Sequence, residues 1–290
     1  MTTKELEQKA NDIRKDIIEM LVEAKSGHSA GPLGMADVFT ALYFGGIMNY
    51  DPQKPDWPER DILVLSNGHI CPVLYTTMAH AGYFPKKELK TLRKFGARLQ
   101  GHPHRTALPG LETSSGPLGS GLSQAVGMAL AMRMSLAQDE GSEPDRPRWI
   151  YCLMGDGELD CGQIWEAAML AGKEKLFNLI GIIDRNNIQI DGFTEDIMPL
   201  EPLKEKFESF GWQVMEINGH NMDEIIGAAE KAKAIFNQPS VIIAQTIPGK
   251  GVDFMEREFS WHGKAPCAEE GQKALKCLRT LSGQIKSEGE

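Results

Sequence analysis

The chain has 290 residues, 41% of them hydrophobic and 24% charged, enough apolar material for a large core. Its 40 Asp and Glu outnumber 31 Lys and Arg for a formal net charge of -9. With no basic block, nucleic-acid and membrane-surface binding are not expected, because both need cationic counter-charge.

Five scattered cysteines without a C-x-x-C pair argue against a disulfide framework or structural zinc. No apolar run approaches the roughly 18 residues of a spanning helix. The charged N-terminal stretch lacks the apolar segment of a secretion signal, so a cytoplasmic protein is expected.

Residues 5–23 place apolar side chains at Leu6, Ala10, Ile13, Ile17, Ile18 and Leu21, the spacing of an amphipathic helix. The loop GHSAGPLG, beginning at Gly27, leads to a second helix over 35–43. Residues 61–66 read as a short buried strand stopped by Asn67-Gly68-His69, with a helix over 71–81. The stretch 94–121 is rich in Gly, Pro, Ser and His, and so long an irregular connection is usually functional. A helix of small and apolar residues spans 123–136, and a polar surface loop covers 138–148. Strands at 149–153, 179–183, 213–217 and 241–245 then alternate with helices at 164–173, near 200–210 and near 223–236. Such βαβ units build a mainly parallel sheet with helices on both faces. The expectation is a three-layer α/β/α domain over 1–267 and a short polar tail over 268–290.

In an open parallel sheet, ligands bind beyond the carboxyl ends of the strands. Four polar segments follow strands: 66–69, 155–160, 184–192 and the residues after Gln245. Gly155-Asp156-Gly157 is the most informative. A dinucleotide fingerprint fits poorly, because its third glycine position holds Asp160. Asp156 would also repel a bare diphosphate, unless a cation such as Mg²⁺ lies between them, held by one or two protein oxygens. Asn186, one βα unit on, and the Ile188 carbonyl are placed to complete its ligands. The competing role for Asp156 is as a cap of the following helix.

GDG, about thirty residues, then NN resembles the thiamine diphosphate-binding motif. KSGHSAGPLG (25–34), SNGHICPVLY (66–75), QGHPHR (100–105), SSGPLGSGLS (114–123), IQIDG (188–192) and WHGKAP (261–266) follow in transketolase order. The chain therefore resembles the transketolase family from about residue 5 to 266. The resemblance implies thiamine diphosphate held through Mg²⁺ (or Ca²⁺ or Mn²⁺), with Asp156, Asn186 and the Ile188 carbonyl as metal ligands. It implies cofactor contacts from His69, Gly116, Pro117, Leu118, Gly157, Asn186 and His262. His28, His69, His102 and His262 would surround the sugar hydroxyls and the reacting carbon, where imidazoles suit proton movement near neutral pH. His80, His104 and His220 lie outside this pattern and are expected to be surface or satisfied polar groups. Trp165 and Trp212 are expected to pack in the core, and Asn187 to orient a neighbour.

Two departures qualify the resemblance. A family glutamate associated with the subunit interface is replaced by Cys161, although Glu166 remains. The resemblance also ends where single-chain transketolases continue for about as long again. The absent half would bring the pyrimidine-binding domain, its glutamate, and the arginines that grip a sugar phosphate. The expected protein is thus the N-terminal subunit of a split transketolase, completed by a pyrimidine-domain subunit in an α2β2 complex. It would move a two-carbon ketol unit from a ketose phosphate to an aldose phosphate, with pentose phosphates as the default. The alternatives are the α-subunit of a 2-oxo acid dehydrogenase or decarboxylase, and a non-catalytic cofactor-binding subunit.

Overall fold

The computed structural model describes residues 1–138 and 147–280. Helix α1 (Thr3–Ala24) opens with a reciprocal cap, in which Glu5 N–H donates to Thr2 Oγ1 and Thr2 N–H to Glu5 Oε2. Then come α2 (Ala30–Gly34), α3 (Ala36–Phe44), β1 (Ile62–Leu65), α4 (Cys71–Ala81) and α5 (Ser120–Gln138). The second half runs β2 (Ile150–Gly155), α6 (Gly162–Lys173), β3 (Leu179–Arg185) and the hairpin β4 (Ile188–Gln189) with β5 (Gly192–Phe193). It ends with α7 (Thr194–Ile197), α8 (Leu203–Ser209), β6 (Gln213–Asn218), α9 (Met222–Lys233), β7 (Ser240–Gln245) and α10 (Ala268–Thr280).

The main sheet has five strands, all parallel, in the order β1-β2-β3-β7-β6. Strand side chains alternate between faces. Leu63, Leu65, Leu153, Ile180 and Ile182 join one core with residues of α1, α3, α4, α9 and α10. Val64, Ile150, Cys152, Met154 and Ile243 join a second core with α5, α6 and α8. Two helical layers enclose the sheet, as expected, and central strand β3 is buried throughout.

Two segments differ from expectation. Within the predicted loop GHSAGPLG, residues 30–34 form α2, buried at every position. Its two glycines and proline give no helix propensity, so tertiary packing decides the local structure. The polar tail expected from 268 instead begins with α10. Ala274 and Leu278 are fully buried there, and Asn11 Nδ2 donates to Leu278 O at 3.0 Å. One apolar stripe of spacing four is enough to dock an otherwise charged helix. Of the polar loop expected at 138–148, residues 139–146 lie outside the described residues. Among the described residues, no helix is long and apolar enough to cross a membrane.

Candidate active site

Parallel pairing brings the exits of β1, β2, β3 and β7 to one edge of the sheet. Gly155 stands in register with Asp184, and Asp156 N–H donates to Asp184 O at 3.2 Å. The GDG turn therefore lies against the start of the DRNNIQIDG segment.

Asp156 is buried at the head of a short 3-10 turn. Its Oδ1 accepts from Gly157 N–H at 2.8 Å, so the capping role is real. Its Oδ2 accepts from Asn187 N–H at 2.6 Å and from Arg185 Nη1 at 3.2 Å. Asn187 reaches this position through a left-handed backbone, φ 64°, which asparagine tolerates better than most residues. Asn187 thus orients Asp156 through its backbone N–H. Burial pushes the Asp156 carboxyl up to about 6, against the opposing pull of Asn187 N–H and Arg185.

Asn186 is also buried, and each end of its carboxamide is fixed. Nδ2 donates to Asp184 Oδ2 at 2.8 Å, while Oδ1 accepts from Ile188 N–H at 3.0 Å. Asp184 in turn accepts from Thr246 Oγ1. Ile188 starts β4 two residues beyond Asn186 and is buried.

His28, His69 and His262 come from three separate segments and form a triangle. Their ring centroids are 4.9 Å (28–69), 5.6 Å (28–262) and 5.2 Å (69–262) apart. Burial, reinforced by the neighbouring imidazoles and Arg93, holds His28 at about 4. Burial likewise lowers His69, His102 and His262, so these rings are neutral donor–acceptors at pH 7. The Nδ1 atoms of His28 and His262 are buried without a hydrogen-bond partner. His102 is not one of the triangle's three rings but is close enough to disfavour charge on His28 and His69; it lines a surface cavity of about 540 Å³ with Arg93, Gln100 and Gly101.

The Gly116-Pro117-Leu118 loop is brought to the same edge. A Cβ on Gly68 would collide with Ser115 Oγ and lie 3.2 Å from Gly116 N, so only glycine lets the β1 exit approach this loop. Glu158 ties the pieces together. Its Oε1 accepts from Ser66 Oγ and from Gly119 N–H (2.7 Å), and its Oε2 accepts from Gly155 N–H (3.1 Å). Ser66 Oγ also accepts from Gly121 N–H at 3.1 Å. A single buried carboxylate thus fastens the exits of β1 and β2 to the start of α5.

Sequence reasoning missed Glu158, Asp184, Arg185, Asn67 and Ser115. Asp184 and Arg185 read as the start of the polar segment after a strand, and Glu158 as one more acid in a polar loop. Both polar atoms of Asn67 and Ser115 Oγ are buried without partners, a property of packing that sequence does not carry. His220 is a satisfied polar group as expected, but it is buried rather than at the surface. His80 is satisfied by Asp16 Oδ2 at 2.6 Å. Trp212 packs in the core and Trp165 against it.

Residues 6–282 match the transketolase thiamine diphosphate-binding domain. The chain belongs to the transketolase family as its thiamine diphosphate-binding domain. Over nearly its whole length it corresponds to the subunits of two-chain transketolases. It is 46% identical over 258 residues to the 6-deoxy-6-sulfo-D-fructose transketolase subunit SqwG of Clostridium sp. strain MSTE9, covering 89% of this chain and 90% of that one. It is 41% identical over 276 residues to an apulose-4-phosphate transketolase subunit of Phocaeicola vulgatus, covering 95% and 94% respectively. It superposes on the transketolase of Campylobacter jejuni subsp. jejuni NCTC 11168 with a TM-score of 0.89 at 36% identity, covering 98% of this chain and 43% of that one. The chain therefore spans less than half the length of that transketolase. The family shown is the transketolase family, the first of the readings the sequence left open.

Proposed function

We propose that this chain is the diphosphate-binding subunit of a Mg²⁺- and thiamine diphosphate-dependent transketolase, active only with a separate pyrimidine-domain subunit, in an α2β2 complex. The observation that carries the reading is the juxtaposition at one sheet edge of Asp156, Asn186 and the neutral imidazole triangle, with buried polar atoms left to pair. Among the described residues, no group of three or more His, Cys, Asp or Glu side chains forms a cation cage. A carboxylate, a carboxamide and a carbonyl suit Mg²⁺, which takes few protein oxygens when phosphate supplies others. Asp156, Asn186 and the Ile188 carbonyl would hold the metal, and His69, Gly157, His262 and the 116–118 loop would contact the cofactor.

Thiamine diphosphate, when bound, supplies the carbanion chemistry that breaks and remakes a carbon–carbon bond next to a carbonyl. This chain's share is binding and proton handling. A neutral imidazole accepts a hydrogen bond at one nitrogen and donates at the other. His28 and His262, whose Nδ1 atoms are buried without partners, and His102 can therefore bind a sugar hydroxyl and exchange its proton. Glu158 and Asp184 keep the surrounding loops and Asn186 in place, a positioning role.

The substrates are proposed to be a ketose and an aldose carrying an anionic group. The relatives' names specify a sulfonated sugar in one case and a phosphorylated sugar in the other. The test is purification from native cells in Mg²⁺ and thiamine diphosphate, followed by native mass spectrometry and ketol-transfer assays on phosphorylated and sulfonated sugars. A second chain, retained cofactor, and loss of both cofactor and transfer in Asp156→Ala are expected. A homodimer that retains no cofactor would overturn the proposal in favour of a non-catalytic subunit.

A further inference from the structure

Arg14, Asp37 and His220 form a buried polar cluster between α1, α3 and the turn after β6. Arg14 is 1% exposed and holds Asp37 with two hydrogen bonds (3.1 and 2.5 Å), while its Nε donates to Leu33 O at 3.0 Å. His220 Nδ1–H donates to Asp37 Oδ2 at 2.7 Å. His220 Nε2 must then be the bare nitrogen, because it accepts from the backbone N–H of Ile247 at 2.7 Å. Both ring nitrogens are thereby committed, and the tautomer is fixed.

Ile247 directly follows Thr246, whose hydroxyl donates to Asp184, which accepts in turn from the Asn186 carboxamide. The turn bearing His220 is pressed onto the same residue. Gly219 N–H donates to Gln245 O at 2.8 Å, and a Cβ on Gly219 would stand 2.6 Å from Thr246 Cγ2. On the other side, a Cβ on Gly34 would lie 3.0 Å from Ile247 O, and Gly249 N–H donates to Ala30 O at 2.8 Å. The 246–249 segment is therefore clamped between α2 and the His220 turn.

We infer that His220 is a positioning residue for the metal-binding carboxamide of Asn186, acting through Ile247 N–H, Thr246 and Asp184. This rests on the proposed role of Asn186. The imidazole fixes where β7 ends, the strand end fixes the Thr246 hydroxyl, and that hydroxyl orients Asp184 toward Asn186. Without the Nε2 acceptor, Ile247 N–H is buried and unpaired, and the segment has reason to shift.

The test uses the full chain with its co-purified partner. Mg²⁺ half-saturation in the presence of thiamine diphosphate is measured by calorimetry, and amide exchange over 246–252 by mass spectrometry. Three variants are compared: His220→Leu, which has no acceptor; His220→Gln, which can accept from Ile247 N–H and donate to Asp37; and Thr246→Val, which breaks the chain at its far end. Expected are a rise of about tenfold in Mg²⁺ half-saturation for His220→Leu and for Thr246→Val, and recovery to within about threefold in His220→Gln. The Leu/Val double variant should be no worse than the worse single one. Faster exchange over 246–252 is expected in the variants that carry His220→Leu and not in Thr246→Val or His220→Gln. Multiplying effects in the double variant, or unchanged half-saturation in a folded His220→Leu, would overturn the inference. If wild-type complex fails to bind Mg²⁺ and cofactor, the proposed function fails instead, while the exchange result still reports on the His220–Ile247 bond.

Discussion

Glu158 offers the sharpest test of how the site is held together. Its carboxylate accepts from three donors at 2% exposure: Ser66 Oγ and Gly119 N–H on Oε1, and Gly155 N–H on Oε2. Glu158→Gln keeps the shape but turns one oxygen into an NH₂ donor. Facing Oε1's partners, the amide would oppose two donors; facing Gly155 N–H it opposes one. The second orientation wins, and its cost is one lost hydrogen bond plus a buried donor–donor contact, roughly 1–3 kcal/mol. At about 3 °C per kcal/mol for a domain of this size, the melting temperature should fall by roughly 3–9 °C. Glu158→Ala strands both backbone donors and should fall further. Calorimetric or fluorescence melting of purified variants checks this, with the rise in melting temperature on adding Mg²⁺ and thiamine diphosphate as a second readout. If Glu158→Gln and Glu158→Ala both melt with wild type, the carboxylate is not the fastening between these loops.

Other substitutions probe separate features. Burial pushes the Asp37 carboxyl up, but the Arg14 guanidinium and His220 more than reverse this and hold it at about 2 against an ordinary 3.8. Because the folded value is depressed, its contribution of about 2 kcal/mol is present above pH 4 and lost as pH falls toward 2. Asp37→Asn should therefore show a flatter loss of urea resistance between pH 5 and 2.5 than wild type, and parallel curves would contradict this. Leu278→Ala should cost about 2–5 kcal/mol in urea denaturation, and a loss well under 1 would mean that α10 is not docked in solution. Cys161 is partly exposed, and Gly119 is packed against its Cβ. Cys161→Glu in the assembled complex should leave cofactor affinity within about threefold by calorimetry; a tenfold change would place the position in the cofactor site.

The sheet was legible because its strands are short, mostly apolar runs bounded by polar or glycine-rich turns. Their polar exits then pointed to the candidate site without reference to any long-range contact. Asp156 and Asn186 stood out because a carboxylate in a glycine turn and a carboxamide one βα unit later make chemical sense as a pair. What stayed hidden was the support for those residues. Glu158 holds Gly119 across 39 positions of sequence, His220 meets Asp37 across 183, and Thr246 meets Asp184 across 62. Such partners follow from the sheet order, β3 beside β7 and β7 beside β6, and no local pattern encodes that order. α2 and α10 were missed for a different reason: one has helix-averse residues and the other mostly polar ones, and in both packing decides.

The distribution of unpaired polar atoms supports the reading of this edge as a ligand site. Among the described residues, eight buried side-chain nitrogen or oxygen atoms have no hydrogen-bond partner, and five of them belong to His28, Asn67, Ser115 and His262. Each such atom costs on the order of 1–3 kcal/mol when buried without compensation. A domain optimised for its own stability would scatter or eliminate them. Here they sit together at the strand exits, beside the Asp156 carboxylate and the 116–118 loop. Concentrated in one place, they make a wall that gains its hydrogen bonds from a polar ligand.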